Sequence, residues 1–361
     1  MSGGSRKFLS LEAGRFIAAF LVVLFHVGVT TAQPKYFGHY AMPAFAGGFA
    51  GVEFFFVLSG FVIVTAHLGD FGRPDRGRVT LTFLWKRFVR LYPALWGVLL
   101  VLAPAIWFVK GLQWKGPISV ADVVAAFAII PFPVERILSV EWTLRYEVVF
   151  YALFALLLWR RAIGLAGFAV LIGLSVASYG VEATGLAGFF LVPYPLLFVA
   201  GGLIGWAART RSLALAVPAL ALGSAIFAAR LAVCALHPEH NGARFWDTSV
   251  FGIGAALIVY GLVSREMRRP VPVPGWLLYL GQASYALYLV HFPVVSIGTK
   301  LAMRLHGRLP EPVLMLLIAA LALASGIIYH ELVEKRLIAA VRRWQPAGLA
   351  KRRPTPVAAS S

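Results

Sequence analysis

The chain has 361 residues, of which 60% are hydrophobic and 13% are charged. The charged share is about half that of a soluble domain, and a water-soluble protein of this length could not bury so much apolar surface in one core. Lysine and arginine outnumber aspartate and glutamate by 33 to 15, which gives a net charge of +18. Because the bases stand between long apolar runs, they favour the loops of a multi-pass membrane protein over a nucleic-acid-binding surface.

Ten apolar stretches approach the roughly 20 residues that a helix needs to cross a bilayer. They cover residues 13–31, 48–67, 88–109, 140–159, 162–179, 188–207, 212–233, 247–263, 275–296 and 312–333. The sequence therefore predicts an all-α, polytopic integral protein of the cell (inner or plasma) membrane with about ten transmembrane helices. An even number of crossings puts both termini on one side, and the excess of bases in the loops of that side predicts that both are cytoplasmic.

The two ends of the chain carry their own signals. Arg6 and Lys7 precede the first apolar run, a pattern that a cleaved signal peptide shares. Arg15 and His26 argue against cleavage, because polar groups fit poorly in a signal-peptide core. At the other end, residues 341–361 are basic and rich in proline and alanine, which predicts a disordered cytoplasmic tail.

The first stretch contains two ionisable residues, Arg15 and His26. Eleven residues turn a helix by about 1100°, so both side chains share one face, about 16 Å apart. Charged groups at membrane depth are costly and indicate function. An anion bound at Arg15 and a reaction at His26 would suit one long substrate. The structural alternative is a snorkelling arginine and a histidine hydrogen-bonded within the bundle.

The second stretch begins with a glycine-rich turn and an acid. Glu53 is predicted near the outer end of this helix, where it could orient or charge-pair His26. The alternative for Glu53 is a structural ion pair. Small residues permit close approach of neighbouring helices; here they are Gly47, Gly48, Gly51, Ser59 and Gly60.

Two arginines mark the start of the third stretch. Arg87 and Arg90 are three residues apart and share a helix face. A guanidinium offers a planar fork that matches phosphate oxygens. The pair is therefore a candidate phosphate site, although the positive-inside rule alone would also place bases here.

The fourth stretch begins with several polar residues. Thr143 and Glu147 are four apart, on one helical face, which fits a polar cavity open to the outside. Arg145 also lies four residues after Glu141, so these two could simply form a structural pair within the helix.

The ninth stretch carries a polar and aromatic stripe. Ser284, Leu287 and His291 fall on one helical face, and Tyr285 and Tyr288 border it. A belt of aromatic residues at the membrane interface is the structural alternative.

Taken in order, these segments resemble acyltransferase family 3, a group of integral membrane O-acyltransferases. The segment around Trp142 is most similar to the exopolysaccharide branch. Glu53 and Thr143 stand where many members have aspartate and serine, and both keep the functional group. The matching segments are Arg15 with His26, 51–61, 87–93, 142–147 with 150–151, and 284–293.

The resemblance implies a family membrane domain over residues 1–340. It implies transfer of an acyl group, typically acetyl, from cytoplasmic acyl-CoA to a hydroxyl of an extracytoplasmic or lipid-linked glycan, such as exopolysaccharide or O-antigen. The expected partners are acyl-CoA, a glycan or glycolipid acceptor and the lipid bilayer. Neither a metal nor a nucleic acid is expected.

On this hypothesis the polar residues divide into three groups. His26 acts as general base, with Glu53 or Glu147 fixing its tautomer; an acyl-histidine intermediate at His26 is the alternative. Cationic side chains hold the CoA phosphates, and hydroxyl and imidazole groups bind substrate. The cationic set is Arg15, Arg87 and Arg90, and the substrate set is Thr143, Tyr285, Tyr288 and His291.

Two other classes of protein fit the same composition. One is a transporter or flippase of a glycan or an acylated intermediate, and the other is a membrane sensor that binds an acyl ligand. A transporter has no need of paired arginines for CoA phosphates and is expected to show inverted repeats, which the sequence does not display.

Overall fold

The computed structural model describes residues 7–108, 117–131, 137–179, 181, 183–210, 213–240, 245–346 and 349. These residues form helices and no β-strand. The α-helices within the described ranges are α1 (Leu9–Thr31), α2 (Gly51–His67), α3 (Arg76–Phe108), α4 (Val120–Ala128), α5 (Trp142–Trp159), α6 (Arg161–Ala177), α7 (Gly185–Phe190), α8 (Tyr194–Thr210), α9 (Ala216–Leu236), α10 (Phe245–Arg268), α11 (Gly275–Ala302), α12 (Glu311–Tyr329) and α13 (Lys335–Arg343).

The predicted multi-pass membrane architecture is confirmed. In the described part of the chain, 9 helical segments are long and apolar enough to cross a membrane. The apolar helix α6 is shorter, with 17 residues, and matches the predicted stretch 162–179. Helix α4 has only 9 residues, too few to span a bilayer.

Helix α3 is longer than the predicted stretch 88–109. It begins at Arg76 and has 33 residues, or about 50 Å, against a hydrocarbon core of about 30 Å. The bases from residue 76 to residue 87 are therefore helical, and a helix of this length extends beyond the hydrocarbon core. The charged residues between 76 and 87 are typical of a loop, but this part of the chain belongs to helix α3.

The last spanning helix also continues past its predicted end at residue 333. A π-helical turn at His330–Glu334 joins α12 to α13, which ends at Arg343. Helix therefore covers the first residues of the predicted tail 341–361. The tail from residue 350 onward lies outside the described residues.

Glycines allow neighbouring helices to pack backbone against backbone, as predicted. A Cβ atom at Gly60 of α2 would lie 1.9 Å from the carbonyl oxygen of Phe198, and one at Gly201 of α8 would be equally impossible. Gly48 and Gly51 meet the backbone of α1 in the same way. Because no side chain separates these backbones, the positions of α1, α2 and α8 are closely defined.

Helices α1 and α11 run side by side in the same direction. Gly281 of α11 packs on the carbonyl of Glu12, near the start of α1. Further along both helices, His291 contacts His26. The first and the ninth predicted crossings run in the same direction through the membrane, so parallel packing agrees with the predicted topology. This packing brings the polar residues of α1 next to those of α11, although the two helices are far apart in the sequence.

The start of α1 is held by an acid from α10. Glu266 is 4% exposed. Its carboxylate accepts hydrogen bonds from the backbone N–H groups of Leu9 at 2.6 Å and Ser10 at 3.1 Å, and from the Ser10 hydroxyl at 2.5 Å. A carboxylate at a helix N-terminus satisfies otherwise unpaired donors and complements the helix dipole. This contact anchors the helix that carries Arg15.

Candidate active site

A cavity of about 630 Å³ lies among α1, α2, α3, α5, α11 and α13. Most of the site residues predicted from sequence line it, although they come from distant parts of the chain. Those that do are Arg15, Arg87, Arg90, Thr143, Glu147, Tyr285 and Tyr288. His26, Glu53 and His291 are not in its lining.

Arg15 reaches into the cavity from the first helix. Its Nε and Nη2 atoms each lie 3.3 Å from the hydroxyl oxygen of Ser284, to which they donate. One carboxylate oxygen of Glu12 is 3.8 Å away. The long contact with Glu12 leaves the guanidinium only weakly neutralised, so it remains available to an anionic ligand.

Arg90 is held by an aromatic ring and an acid. Its guanidinium carbon lies 4.9 Å from the centre of the Tyr285 ring, a cation–π distance. The Tyr285 hydroxyl donates to the carbonyl of Leu91 at 2.9 Å, which fixes the ring. Nη1 of Arg90 is 3.6 Å from a carboxylate oxygen of Glu334, in the π-helical turn. These contacts orient Arg90 at the wall of the cavity.

Arg87, one turn before Arg90 on α3, lies against two aromatic rings. Its guanidinium carbon is 5.8 Å from the Phe83 ring centre and 5.7 Å from that of Tyr151. Its Nε atom is buried and has no hydrogen-bond partner among the described residues. A buried donor without a partner is costly, so this nitrogen is a natural position for a ligand oxygen.

The cavity is strongly cationic. Glu147 is the acidic residue in its lining. The basic residues in the lining are Arg15, Lys86, Arg87, Arg90 and Arg342. Fixed positive charge within low-dielectric walls concentrates anions. The arrangement suits a ligand with several phosphate groups.

Two hydroxyl groups, one from α5 and one from α11, also border the cavity. The oxygen atoms of Thr143 and Tyr288 are 2.7 Å apart. Both also contact the carbonyl oxygen of Val140, at 3.1 and 3.0 Å respectively. The two hydroxyl protons are used in hydrogen bonds among these three oxygen atoms. Each hydroxyl oxygen therefore keeps a lone pair, but neither hydroxyl has a proton left to donate to a ligand. They can therefore accept hydrogen bonds from a ligand's N–H or O–H groups.

Glu147 lies one helical turn after Thr143, and both face the cavity, as their spacing predicts. Its Oε1 atom accepts hydrogen bonds from the hydroxyls of Ser59, at 3.5 Å, and Tyr151. The carboxylate is thus held by α2 and by its own helix. No contact with His26 is found among the described residues.

The other charged pair at the start of α5 is structural. Nη2 of Arg145 donates to Oε1 of Glu141 at 2.9 Å. Both residues are 1% exposed, and neither lines the cavity. The structural pair within the helix that the four-residue spacing of Glu141 and Arg145 allowed is therefore confirmed.

His26 is half-buried and contacts a second histidine. Its Nδ1 atom is 2.9 Å from the carbonyl of Val22 and 3.2 Å from Nε2 of His291. His291 is fully buried, and its own Nδ1 lies 2.7 Å from the carbonyl of Tyr288. The sequence placed His291 among substrate-binding groups and missed this contact, because no local spacing reports which helices become neighbours.

These contacts assign the protons of both rings. Nδ1 of His291 faces carbonyl oxygens and must donate, so its Nε2 carries a lone pair. Nδ1 of His26 then faces two acceptors and must donate as well. The lone pair of neutral His26 is left on Nε2, the nitrogen that can remove a proton.

The predicted pairing of Glu53 with His26 is not found among the described contacts. Gly51 packs against α1, and two further residues rotate a helix by about 200°. Glu53 therefore faces the other way, toward Tyr194 of α8 and Thr248 of α10. Its side chain is buried, and Oε2 has no hydrogen-bond partner among the described residues. The position predicted for a carboxylate beside His26 is occupied by His291.

Known proteins resemble this chain along most of its length. The family model for an acyltransferase domain matches residues 8–331. The exopolysaccharide production protein ExoZ of Rhizobium meliloti (strain 1021) is 32% identical over 352 residues, which cover 91% of this chain and 99% of that protein. The acyltransferase MdmB of Streptomyces mycarofaciens is 25% identical, with 94% of each chain covered. No solved structure gives a significant match.

Proposed function

The chain belongs to acyltransferase family 3, and we therefore propose that it moves an acyl group, in the first instance acetyl, from cytoplasmic acyl-CoA to a glycan hydroxyl. The acceptor is an extracytoplasmic or lipid-linked glycan of the exopolysaccharide or O-antigen type. The extended similarity to a protein named for exopolysaccharide production supports this acceptor class.

The cationic cavity is the observation that carries the proposal. CoA brings a pyrophosphate and a ribose 3′-phosphate, and it cannot cross a bilayer. Arg15, Arg87 and Arg90 present guanidinium groups to one cavity, and charge-assisted hydrogen bonds from such groups to phosphate are strong. The unpartnered Nε of Arg87 would gain an acceptor there.

The pantetheine arm would extend from these bases toward Thr143 and Tyr288. Its two amide N–H groups need acceptors, and the paired hydroxyls offer lone pairs. The apolar part of the lining, which includes Val52, Phe55 and Leu58, suits the methylene groups of the arm. This direction carries the thioester from Arg15 toward the end of α1 that holds His26.

At His26 the reaction would be general base catalysis. The acceptor hydroxyl attacks the thioester carbonyl carbon as Nε2 of His26 takes its proton. The new C–O bond forms, the C–S bond breaks, and the imidazolium returns the proton to the leaving thiolate. His291 holds the Nδ1 proton of His26 in place during this cycle.

Transfer through an acyl-histidine would use the same lone pair as a nucleophile. Direct transfer and transfer through an acyl-histidine give different products when acetyl-CoA is supplied without a glycan acceptor. Direct transfer leaves the protein unlabelled by radioactive acetyl-CoA. The covalent route labels it, with release of one equivalent of CoA.

The experiment that tests the proposal uses the full chain in nanodiscs with acetyl-CoA and glycan from a producing strain. We expect acetyl transfer and CoA release by the wild type, and neither by His26→Ala, at equal protein insertion. Full activity of His26→Ala would exclude His26 as the base. The exposed residue His237 supplies the matched control His237→Ala, which should remain active. A wild type that neither binds nor turns over any acyl-CoA would contradict the proposed donor.

A further inference from the structure

The C-terminal helix α13 forms part of the cavity wall, although it lies beyond the residues matched by the family model. Ile338 and Arg342 are four residues apart on one face of this helix and line the cavity, as does Gln345 just beyond the end of the helix. The same helix also packs against α3, where Leu337 lies at Gly97 beside Val333 of the π-helical turn. The helix is thus seated against the protein on one side and faces the ligand space on another.

Arg342 is the cation that this helix contributes. It is exposed, and no described acidic residue pairs with it. It lines the main cavity and also a polar side cavity of about 350 Å³ that shares Arg15 and Arg90. Arg343 is equally exposed but lines neither cavity. Two adjacent arginines with the same charge therefore differ in their access to the ligand space.

The solvent exposure of the cavity arginines indicates which of them lie deeper and which lie nearer to the opening. Arg87 and Arg90 are half-buried against aromatic rings, whereas Arg342 is open to solvent. A donor whose thioester points inward keeps its adenosine end outermost. The ribose 3′-phosphate is the phosphate group farthest from the thioester, so it comes to rest nearest the exposed cations of the lining, which are Arg342 and Lys86.

We infer that Arg342 of the C-terminal helix binds the ribose 3′-phosphate of the acyl-CoA donor and makes the enzyme select CoA thioesters over dephospho-CoA thioesters. This inference rests on the proposed function and adds a specificity-determining residue to it. The phosphate of an anionic lipid headgroup has the same chemistry and could reach an arginine at the membrane surface. The experiment therefore controls the lipid.

The test measures binding of acetyl-CoA and acetyl-dephospho-CoA to the full chain in nanodiscs of phosphatidylcholine alone. One charge-assisted hydrogen bond is expected to favour acetyl-CoA by about 10-fold in the wild type. Arg342→Gln should remove this preference by weakening acetyl-CoA binding alone. Arg342→Lys should keep part of the preference, and Arg343→Gln should keep all of it.

Three results with Arg342→Gln would overturn the inference. The first is a preference for acetyl-CoA that survives the substitution. The second is an equal loss of affinity for both donors, which indicates a structural defect. The third is a loss of affinity that appears only in nanodiscs containing phosphatidylglycerol, which indicates a lipid ligand. If the wild type binds neither donor, the proposed function itself fails. A wild type that binds both donors equally leaves that function standing and refutes the role of Arg342.

Discussion

His291 contacts His26 across the interface of α1 and α11, with Nε2 of His291 3.2 Å from Nδ1 of His26. The same imidazole lies next to Tyr288, 5.6 Å between ring centres, and Tyr288 borders the cavity. His291 therefore connects the ligand space with the proposed base. On the proposed mechanism, this neutral ring would play the part that a carboxylate plays in a hydrolase triad.

His291→Ala is predicted to lower kcat by roughly 10- to 100-fold without changing the affinity for acetyl-CoA. The physical reason is that Nδ1–H of His26 loses one of its two acceptors, the imidazole that also orients its ring, and keeps only the carbonyl of Val22. His291→Gln places an oxygen close to the lost Nε2 and should recover part of the rate, whereas His291→Asn should not. Steady-state kinetics on the three variants provides the check, and equal rates for Gln and Asn would count against a positioning role.

Arg87→Gln and Arg90→Gln are each predicted to raise KM for acetyl-CoA by about 10-fold, with a smaller effect on KM for the glycan. Each substitution removes a cation from the wall of the cavity while keeping a polar side chain of similar length. The matched control is Arg76→Gln, on the same helix but outside the cavity lining. An unchanged dependence on acetyl-CoA would refute the phosphate role.

Glu147→Gln is predicted to bind acetyl-CoA a few-fold more tightly than the wild type, because the substitution removes negative charge from a space that receives phosphates. Transfer should still fall, since the hydroxyls of Ser59 and Tyr151 lose their ionised acceptor. Calorimetry with acetyl-CoA measures the first effect. Glu53→Gln, whose side chain faces α8 and α10, should leave donor affinity unchanged. Weaker donor binding by Glu147→Gln would contradict this account of the charges.

Gly201→Ala is predicted to destabilise the protein by about 1–3 kcal/mol, as overpacking does in a close-packed interior. A Cβ atom there would lie 1.8 Å from the carbonyl oxygen of Val57, so α2 and α8 must separate. Gly173→Ala provides the comparison, because nothing lies within 4 Å of a Cβ at that position of α6. Thermal unfolding in detergent should show a lower Tm for Gly201→Ala alone.

Local patterns predicted much of the fold and part of the site. Apolar runs located the spanning helices, and four-residue spacing placed Thr143 and Glu147 on one face of α5. The same spacing also offered the pair of Glu141 with Arg145. These inferences hold because helix geometry depends only on neighbours within a few residues.

Contacts between helices that are distant in the sequence could not be predicted from local patterns. Glu53 was expected beside His26, but the packing of Gly51 on α1 turns it toward α10. Glu266 gave no local sign that it holds the first turn of a helix 256 residues earlier in the chain. The early start of α3 was hidden because a helix that leaves the membrane carries charges like those of a loop.

The parallel packing of α1 and α11 has a consequence for biosynthesis. Arg15 and its partner Ser284 are separated by 269 positions, which a ribosome adds over on the order of half a minute. During that interval the guanidinium of Arg15 and the imidazole of His26 lack their partners on α11, which are Ser284 and His291. Helix α13 is synthesised later still, so the cavity lacks one of its walls until that helix has followed α11 and α12 out of the ribosome.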